Sequence, residues 1–223
     1  MNGHAFTFAG HSLTALPSGA LYWADERLLC VSDLHLGKSD RIARREGRLL
    51  PPYETRATLD RLASDITATG PKTVICLGDS FDDLAAAEAM EESARDDLAR
   101  LMAGRHWVWI EGNHDPGPVD LGGTHRADLT VQDITFRHIA DPGKTHEVSG
   151  HYHPKARITA RGRSLSRRCV LVDGARIILP AYGTYTGGLY CDRPELSALM
   201  QDPARAILLP GPDRAPLPIP MPR

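Results

Sequence analysis

The sequence predicts an α/β protein in which helices pack outside two facing β-sheets. In the first half of the chain, short apolar runs typical of buried strands alternate with stretches of helical periodicity, which gives the order β-α-β-α-β. From Asp128 onward, strand-forming residues dominate. Two sheets with helices on their outer faces are the simplest way to bury the apolar side of every element.

The chain is predicted to begin with an antiparallel meander. Short β-rich segments cover residues 6–8, 12–16 and 20–23, and turn signals at Gly10 and at 17–19 separate them. Apolar runs at 28–31, 74–77 and 107–110 then predict three buried strands.

Two helical patterns lie between these strands. Leucines, alanine and isoleucine recur at helical spacing within residues 55–69, and Gly70 followed by Pro71 predicts the end of that helix. The alanine-rich stretch 82–102 has high helix propensity and is expected to end at Gly104. Asp82 is a candidate N-cap for it.

The second half is predicted as strands leading to His138, to Gly150 and through 169–179, with a tight turn at 132–133. Residues 1–202 are expected to form one domain, since 223 residues suit a single large core. Residues 203–223 are dense in proline, which predicts an extended or partly ordered segment with room for a strand at 206–209.

Composition excludes several classes of protein. No run approaches the roughly 18 apolar residues of a membrane span, and the N-terminus has no leader pattern. The four cysteines form no CxxC pair, and three of them lie in apolar runs, so a reducing, cytoplasmic location is expected. A net charge of −2 means that any nucleic-acid surface must be a local patch.

Five clusters of metal-binding residues follow the predicted strands. Carboxylate, amide and imidazole donors of this kind suit borderline-hard divalent metals, and their number predicts two ions. The first three clusters lie at the carboxyl ends of apolar runs, where loops build sites. In chain order the clusters are Asp33-Leu34-His35, Gly78-Asp79-Ser80-Phe81-Asp82, Gly112-Asn113-His114-Asp115, His138, and Gly150-His151-Tyr152-His153.

This motif order resembles that of the calcineurin-like metallophosphoesterases, whose pattern is DxH, GDxxD, GNHD, H and GHxH. The stretches at 34–38, 50–52, 179–183 and 186–188 are similar to one bacterial branch, the ligase-associated DNA damage response endonucleases. The resemblance runs from about the start of the chain to about Leu189. It implies a four-layer αββα sandwich of two mixed sheets flanked by helices.

The resemblance also implies residue roles and a cofactor. Two divalent ions, Mn²⁺ in that branch, would ionise a bridging water for in-line attack on phosphorus. His114 would be the general acid for the leaving oxygen, with Asp115 orienting its ring. One ion would be held by Asp33, His35 and His153, the other by Asn113, His138 and His151, with Asp79 bridging the two.

Some of these assignments have plainer alternatives. His138 is a single residue, and His146, eight positions later, is its rival as a ligand; the motif order favours His138. Asp82 completes the GDxxD motif, but its capping role is sufficient to explain it, so we assign it no catalytic role.

Two basic groups bear on the substrate. Arg41, Arg44, Arg45 and Arg48 fall at i, i+3, i+4 and i+7, so a helix there would place all four on one face beside the first motif. Such clusters contact phosphate backbones, although a charge run is more often a solvated surface. A second group follows the last motif and comprises Lys155, Arg157, Arg161, Arg163, Arg167 and Arg168.

Together these features predict a binuclear metal-dependent phosphodiesterase that cuts DNA in repair. The resemblance implies DNA as partner, together with a DNA ligase, a helicase and an exonuclease. The alternative is a phosphoesterase acting on a small nucleotide or phosphorylated metabolite, in which the arginines have no role. A non-catalytic scaffold is less favoured, because every ligand and His114 are present.

Overall fold

The computed structural model describes residues 2–51, 53–117, 120–160, 162–211 and 213–223. Its first sheet has seven strands in the order of the chain. The first four are antiparallel neighbours and the last three continue the sheet in parallel. They are β1 (His4–Phe8), β2 (His11–Ala15), β3 (Leu21–Trp23), β4 (Leu28–Val31), β5 (Thr73–Leu77), β6 (His106–Ile110) and β7 (Thr124–Arg126).

The second sheet is built from the rest of the chain. Its strands are β8 (Asp128–Val131), β9 (Ile134–Arg137), β10 (Glu147–Ser149), β11 (Lys155–Ala160), β12 (Arg163–Val172), β13 (Arg176–Ile178), β14 (Arg205–Leu208) and β15 (Leu217–Pro220). The order is β15-β14-β12-β13-β10-β9-β8, and β11 pairs with β12 as a hairpin. Because β9, β10 and β13 are parallel and the others antiparallel, this sheet is also mixed.

Helices cover the outer faces of both sheets. They are α1 (Lys38–Glu46), α2 (Glu54–Thr69), α3 (Leu84–Glu88), α4 (Glu92–Met102) and α5 (Pro194–Ser197). Side chains of α2 and α4 pack on the first sheet, and Leu196 of α5 packs on the second. A third apolar layer lies between the sheets. The predicted αββα sandwich of two mixed sheets is therefore confirmed, and no helix in the described ranges is long and apolar enough to cross a membrane.

The apolar runs of the sequence are explained by burial on both faces of the first sheet. In β5, Ile75 and Leu77 point into the layer between the sheets, whereas Val74 and Cys76 pack under the helices. In β6, Val108 likewise faces the second sheet and Trp107 faces the helices. A strand covered on both faces needs no polar alternation, so its sequence is continuously apolar.

The single helix predicted over 82–102 is wrong. Helix α3 ends at Glu88, residues 89–91 are not helical, and α4 begins at Glu92. Asp83 caps α3 by accepting from the Ala86 N–H at 2.7 Å, so the N-cap is Asp83 and not Asp82. The guanidinium of Arg95 donates to the carbonyls of residues 87, 88 and 90, which satisfies the end of α3.

The Pro-rich segment 203–223 supplies two strands of the second sheet. Arg205–Leu208 pairs with residues 169–172, so the strand expected at 206–209 is present. Pro218 and Pro220 lie in β15, the edge strand, where a residue without an N–H leaves no ladder bond unmade inside the sheet.

We predict that the layer between the sheets dominates stability. Leu21→Ala removes a side chain that is 1 % exposed, and it should lower the free energy of unfolding by about 2–5 kcal/mol through lost burial and the cavity left behind. Leu49→Ala is the matched control, because Leu49 is 89 % exposed and its loss should change stability by less than about 0.5 kcal/mol. Urea unfolding monitored by circular dichroism measures both. Equal effects of the two substitutions would contradict the layer's role.

Candidate metal centre

Loops from both sheets meet at the carboxyl ends of their parallel strands. Strands β4, β5 and β6 lead into the first three motifs, β9 ends just before His138, and β10 ends just before the last motif. The seven predicted ligands are thereby brought together in two adjoining groups: Asp33, His35 and His153 in the first, and Asp79, Asn113, His138 and His151 in the second.

The first group is arranged as ligands around a common point. One donor atom from each of Asp33, His35 and His153 lies within 4.8 Å of the others. Asp33 Oδ1 and His153 Nε2 are 3.1 Å apart, yet neither atom, nor His35 Nε2, has an aligned hydrogen-bond partner among the described residues. Donors about 2.1 Å from one shared ion are held roughly 3 Å from each other. The group thus fits a divalent metal better than it fits an internal hydrogen bond.

The second group surrounds the imidazole of His138. Its Nε2 lies 3.0 Å from Asn113 Oδ1, 3.2 Å from His151 Nδ1 and 3.4 Å from Asp79 Oδ2. The other ring nitrogen, Nδ1, lies 2.9 Å from the Leu77 carbonyl, which can only accept, so Nδ1 carries a proton. This bond fixes the ring so that Nε2 is the atom offered to a metal.

Several of the predicted ligands also have an unusual, left-handed backbone conformation. The left-handed region is uncommon for residues other than glycine and costs free energy unless the surroundings hold it in place. Five predicted ligands adopt it, with φ between 46° and 69°: Asp33, His35, Asp79, His151 and His153. These five residues all lie in the loops after β4, β5 and β10. The left-handed backbone of these loops therefore directs the side chains of the predicted ligands towards one another.

The carboxylates and imidazoles of this pocket shift one another's pKa values. Burial opposes ionisation of Asp33 and Asp79, but hydrogen bonds and charges from His153 and His138 outweigh it and hold both carboxyl pKa values below their usual range. Burial likewise opposes protonation of His138, yet the Asp79 hydrogen bond and the charge of Asp33 raise its pKa to about 9. Burial and the nearby His138 lower the pKa of His151. A divalent cation here would take the place of the proton on His138 Nε2, while Nδ1 keeps the proton that it donates to the Leu77 carbonyl.

His114 lies beside these donors. Its Nδ1 is 2.9 Å from the Asp82 carbonyl and its Nε2 is 4.0 Å from Asp79 Oδ2. The side chain is 32 % exposed, so substrate and solvent can reach it.

The expectation that Asp115 orients the His114 ring is wrong in this structure. Asp115 Oδ2 accepts instead from the backbone N–H groups of Ser80 at 2.8 Å and Phe81 at 3.1 Å, and the carbonyl of Asp82 holds the ring. Burial and the charge of Asp79 raise the pKa of Asp115 to about 6. Asp115 therefore shapes the loop that carries Asp79.

Comparison with known proteins agrees with this geometry. Residues 26–183, which contain all five motifs, match the family described as calcineurin-like phosphoesterase. The chain belongs to this family. The predicted superfamily is thus confirmed, and the protein is a phosphoesterase of a family that works with divalent metals.

One solved structure is similar over the whole length of this phosphoesterase. It is the crystal structure of nuclease MPE from Pseudomonas putida, with 27 % identity and a TM-score of 0.76. The match covers 97 % of this chain and 100 % of that chain. No curated protein matches the sequence.

The arginines after the first motif do not form the predicted ridge. Helix α1 ends at Glu46, and Gly47 turns away in the left-handed region, so Arg48 lies beyond the helix. The other three face carboxylates: Arg41 lies 3.1 Å from Asp82, Arg44 lies 2.8 Å from Asp40 and 2.9 Å from Asp83, and Arg45 lies 3.3 Å from Asp83. Each of these three arginines thus has a carboxylate partner within the chain, and Arg45 keeps 61 % of its side chain exposed.

The second basic group lies on the β11–β12 hairpin. The Arg157 guanidinium is 4.2 Å from the centre of the Tyr190 ring. Arg168 is directed inward, where its Nη1 donates to the Ala181 carbonyl at 2.8 Å and burial lowers its pKa. Arg161, like Pro52 of the 50–52 motif, lies outside the described residues.

Two further side chains contact the predicted ligands, and sequence reasoning missed both roles. The Ser32 hydroxyl donates to Asp33 Oδ2, which also accepts from the His151 N–H at 3.0 Å. Asp82 is fully buried, and its Oδ1 lies 2.8 Å from His35 Nδ1. Only the position of Asp82 within GDxxD signalled it, and that position also suits a helix cap.

We predict that Gly150 is required for metal binding because there is no room for a side chain. A Cβ at this position would overlap the Ser32 hydroxyl and lie 2.5 Å from Asp33 Oδ2. Gly150→Ala should displace Asp33 and weaken Mn²⁺ binding at least about tenfold, the loss expected when support of a ligand fails. Isothermal titration calorimetry measures it. Gly174→Ala is the control, since no atom lies within 4 Å of its Cβ, and wild-type affinity for Gly150→Ala would refute the idea.

Proposed function

We propose that this phosphoesterase hydrolyses phosphodiester bonds of DNA at a centre of two divalent metal ions. The observation that carries the proposal is the pair of adjoining donor groups, completed from both sheets, with the His114 ring 4.0 Å from Asp79. A centre for two ions is suited to phosphoryl transfer, because two cations neutralise both the attacking and the leaving oxygen.

The ligand assignment follows the two groups. Asp33, His35 and His153 would hold one ion, and Asn113, His138 and His151 the other. Asp79 would be the ligand common to both ions. Mixed carboxylate, amide and imidazole donors suit Mn²⁺, which we propose as the activating ion.

The chain's own residues then have distinct tasks. The bound ions would supply a water ionised near neutral pH and neutralise the phosphate charge. His114, held through Nδ1 by the Asp82 carbonyl, would donate a proton from Nε2 to the leaving oxygen. Its partial exposure lets the ring regain a proton from solvent after each turnover.

Two observations support DNA as the substrate. The similar structure is that of a nuclease, and the two chains match over nearly their full length. In addition, β11 starts two residues after His153, and Lys155 and Arg157 lie on the same face of that strand. Cations two and four residues after a proposed metal ligand would be able to contact phosphates flanking the scissile bond.

A role in DNA repair forms part of the proposal. The stretches at 34–38, 179–183 and 186–188 resemble the ligase-associated endonucleases, which supports a cytoplasmic repair enzyme with a DNA ligase, a helicase and an exonuclease as partners. Affinity purification of the tagged protein from its own cells, with the Asp79→Ala variant alongside, tests these partners.

The first prediction separates metal binding from acid catalysis. Asp79→Ala should abolish hydrolysis of every diester, because it removes a ligand from both ions. His114→Ala should lower activity about 10²–10⁴-fold on DNA and far less on a nitrophenyl diester, whose leaving group needs no proton. Steady-state kinetics on both substrates measure this.

A histidine away from the site provides the control. His106 is exposed at the start of β6, so His106→Ala should keep wild-type rates on both substrates. Equal losses for His114→Ala on DNA and on the nitrophenyl diester would contradict its role as acid.

The second prediction tests DNA binding by the hairpin. Lys155→Gln with Arg157→Gln should weaken DNA cleavage and reduce the salt slope of DNA binding by about 0.7–0.9 for each phosphate that the protein no longer neutralises. Hydrolysis of a small chromogenic diester should stay unchanged, since it has no flanking phosphates. The assay compares both substrates across a salt series.

The control carries the same change of charge elsewhere. Arg56→Gln with Arg100→Gln removes two exposed guanidinium groups from α2 and α4. If this variant and the hairpin variant had the same salt slope, the hairpin would be only a solvated surface, and the small-substrate alternative would gain support.

A further inference from the structure

We propose that Asp82 is a positioning residue of the metal centre: its carboxylate fixes the ring of His35, and Lys38 and Arg41 hold that carboxylate in place. The proposal rests on the metal-ligand role of His35 proposed above. It gives Arg41 a task inside the protein in place of its predicted contact with DNA.

The geometry around Asp82 is specific. The side chain has no exposed surface. Its Oδ1 lies 2.8 Å from His35 Nδ1 and 3.5 Å from the Lys38 ammonium, and its Oδ2 lies 3.1 Å from Arg41 Nη1. A buried carboxylate is costly without partners of opposite charge, and two cations from one helix supply them here.

Asp82 is not itself placed as a metal ligand. Donor atoms of His35, Asp82 and His114 do lie within 4.8 Å of one another. However, Lys38 and Arg41 already balance the Asp82 charge, and a further cation at that point would be repelled by both. Asp82 thus lies against His35 Nδ1, which leaves Nε2 as the atom available to a metal shared with Asp33 and His153.

This arrangement sets which nitrogen of His35 binds the metal. An imidazole whose Nδ1–H donates a hydrogen bond to a carboxylate keeps a lone pair on Nε2, and the carboxylate makes that nitrogen a stronger ligand. The Nδ1 atom is within hydrogen-bonding distance of Asp82 but out of line, and Nε2 has no aligned partner among the residues described here.

The main chain of Asp82 supports the site from the other side. Its carbonyl accepts from Nδ1 of His114 at 2.9 Å. One residue thus orients a proposed ligand through its side chain and the proposed acid through its backbone. Substituting Asp82 removes only the first of these interactions, which makes its effect on metal binding separable.

Metal binding by the full-length, metal-stripped protein tests the proposal. Calorimetric titration with MnCl₂ should show that wild type binds two ions. In Asp82→Ala, the affinity for one of these ions should fall about 10–100-fold. Asp82→Asn should lose less, because an amide oxygen still accepts from Nδ1. Asp83→Asn is the matched control: it removes the neighbouring charge, keeps the cap on α3, and should stay within about twofold of wild type.

A merely structural role for Asp82 is tested by nitrogen NMR of histidine-labelled, Zn²⁺-loaded protein. Wild type should show His35 with a proton on Nδ1 and metal on Nε2, and Asp82→Ala should lose the slowly exchanging Nδ1 proton.

If Asp82→Ala does not fold, a second variant replaces it: Arg41→Gln should lower the affinity for the same ion. The proposal would be overturned if Asp82→Ala, or Arg41→Gln where Asp82→Ala does not fold, bound both ions with wild-type affinity. It would also be overturned if the affinities for both ions fell equally and the melting temperature fell with them. Failure of wild type to bind any ion would instead refute the metal centre itself.

Discussion

The metal centre depends on two loops that remain hydrogen-bonded after their strands have ended. The loop after β4 lies along the loop after β5: the His35 N–H donates to the Asp79 carbonyl at 2.9 Å, and the Leu36 N–H donates to the Ser80 carbonyl at 2.9 Å. The Asp82 N–H returns a bond to the Leu36 carbonyl at 3.0 Å. These bonds offset the cost of the left-handed backbone at the ligands, because neither loop can relax without breaking its ladder with the other.

The second constraint is the close approach of the two sheets at this end of the sandwich. A Cβ on Gly78 would lie 2.5 Å from the His138 ring, so the turn after β5 accepts the imidazole only because it carries glycine. Both sheets supply donors, and the apolar layer between the sheets sets their separation. Because this layer is closely packed, it fixes the distances between the ligands that come from different sheets.

The sequence was sufficient for features that depend on local pattern. Buried strands, the meander, the helix over 54–69 and the order of the motifs all have signals within a few residues, and the fold they predict is confirmed. The ligand roles stay predictions, although the residues do come together. The failures arose where distant groups decide: Arg95 ends α3 from the following helix, and the Asp82 carbonyl takes the place expected of Asp115. Neither interaction has a periodic or compositional signature.

The place of β14 in the second sheet has a consequence for biosynthesis. The first sheet has all its strands once residue 126 has been made, and it can fold early. The second sheet is finished later, because β14 and β15 are made after every histidine of the site. Strands β9, β10, β13 and β12 pair with one another without β14, so the last two strands only extend the sheet at the edge away from those histidines. The C-terminal strands therefore widen the scaffold on the side remote from the site, and most of the second sheet is encoded before they are made.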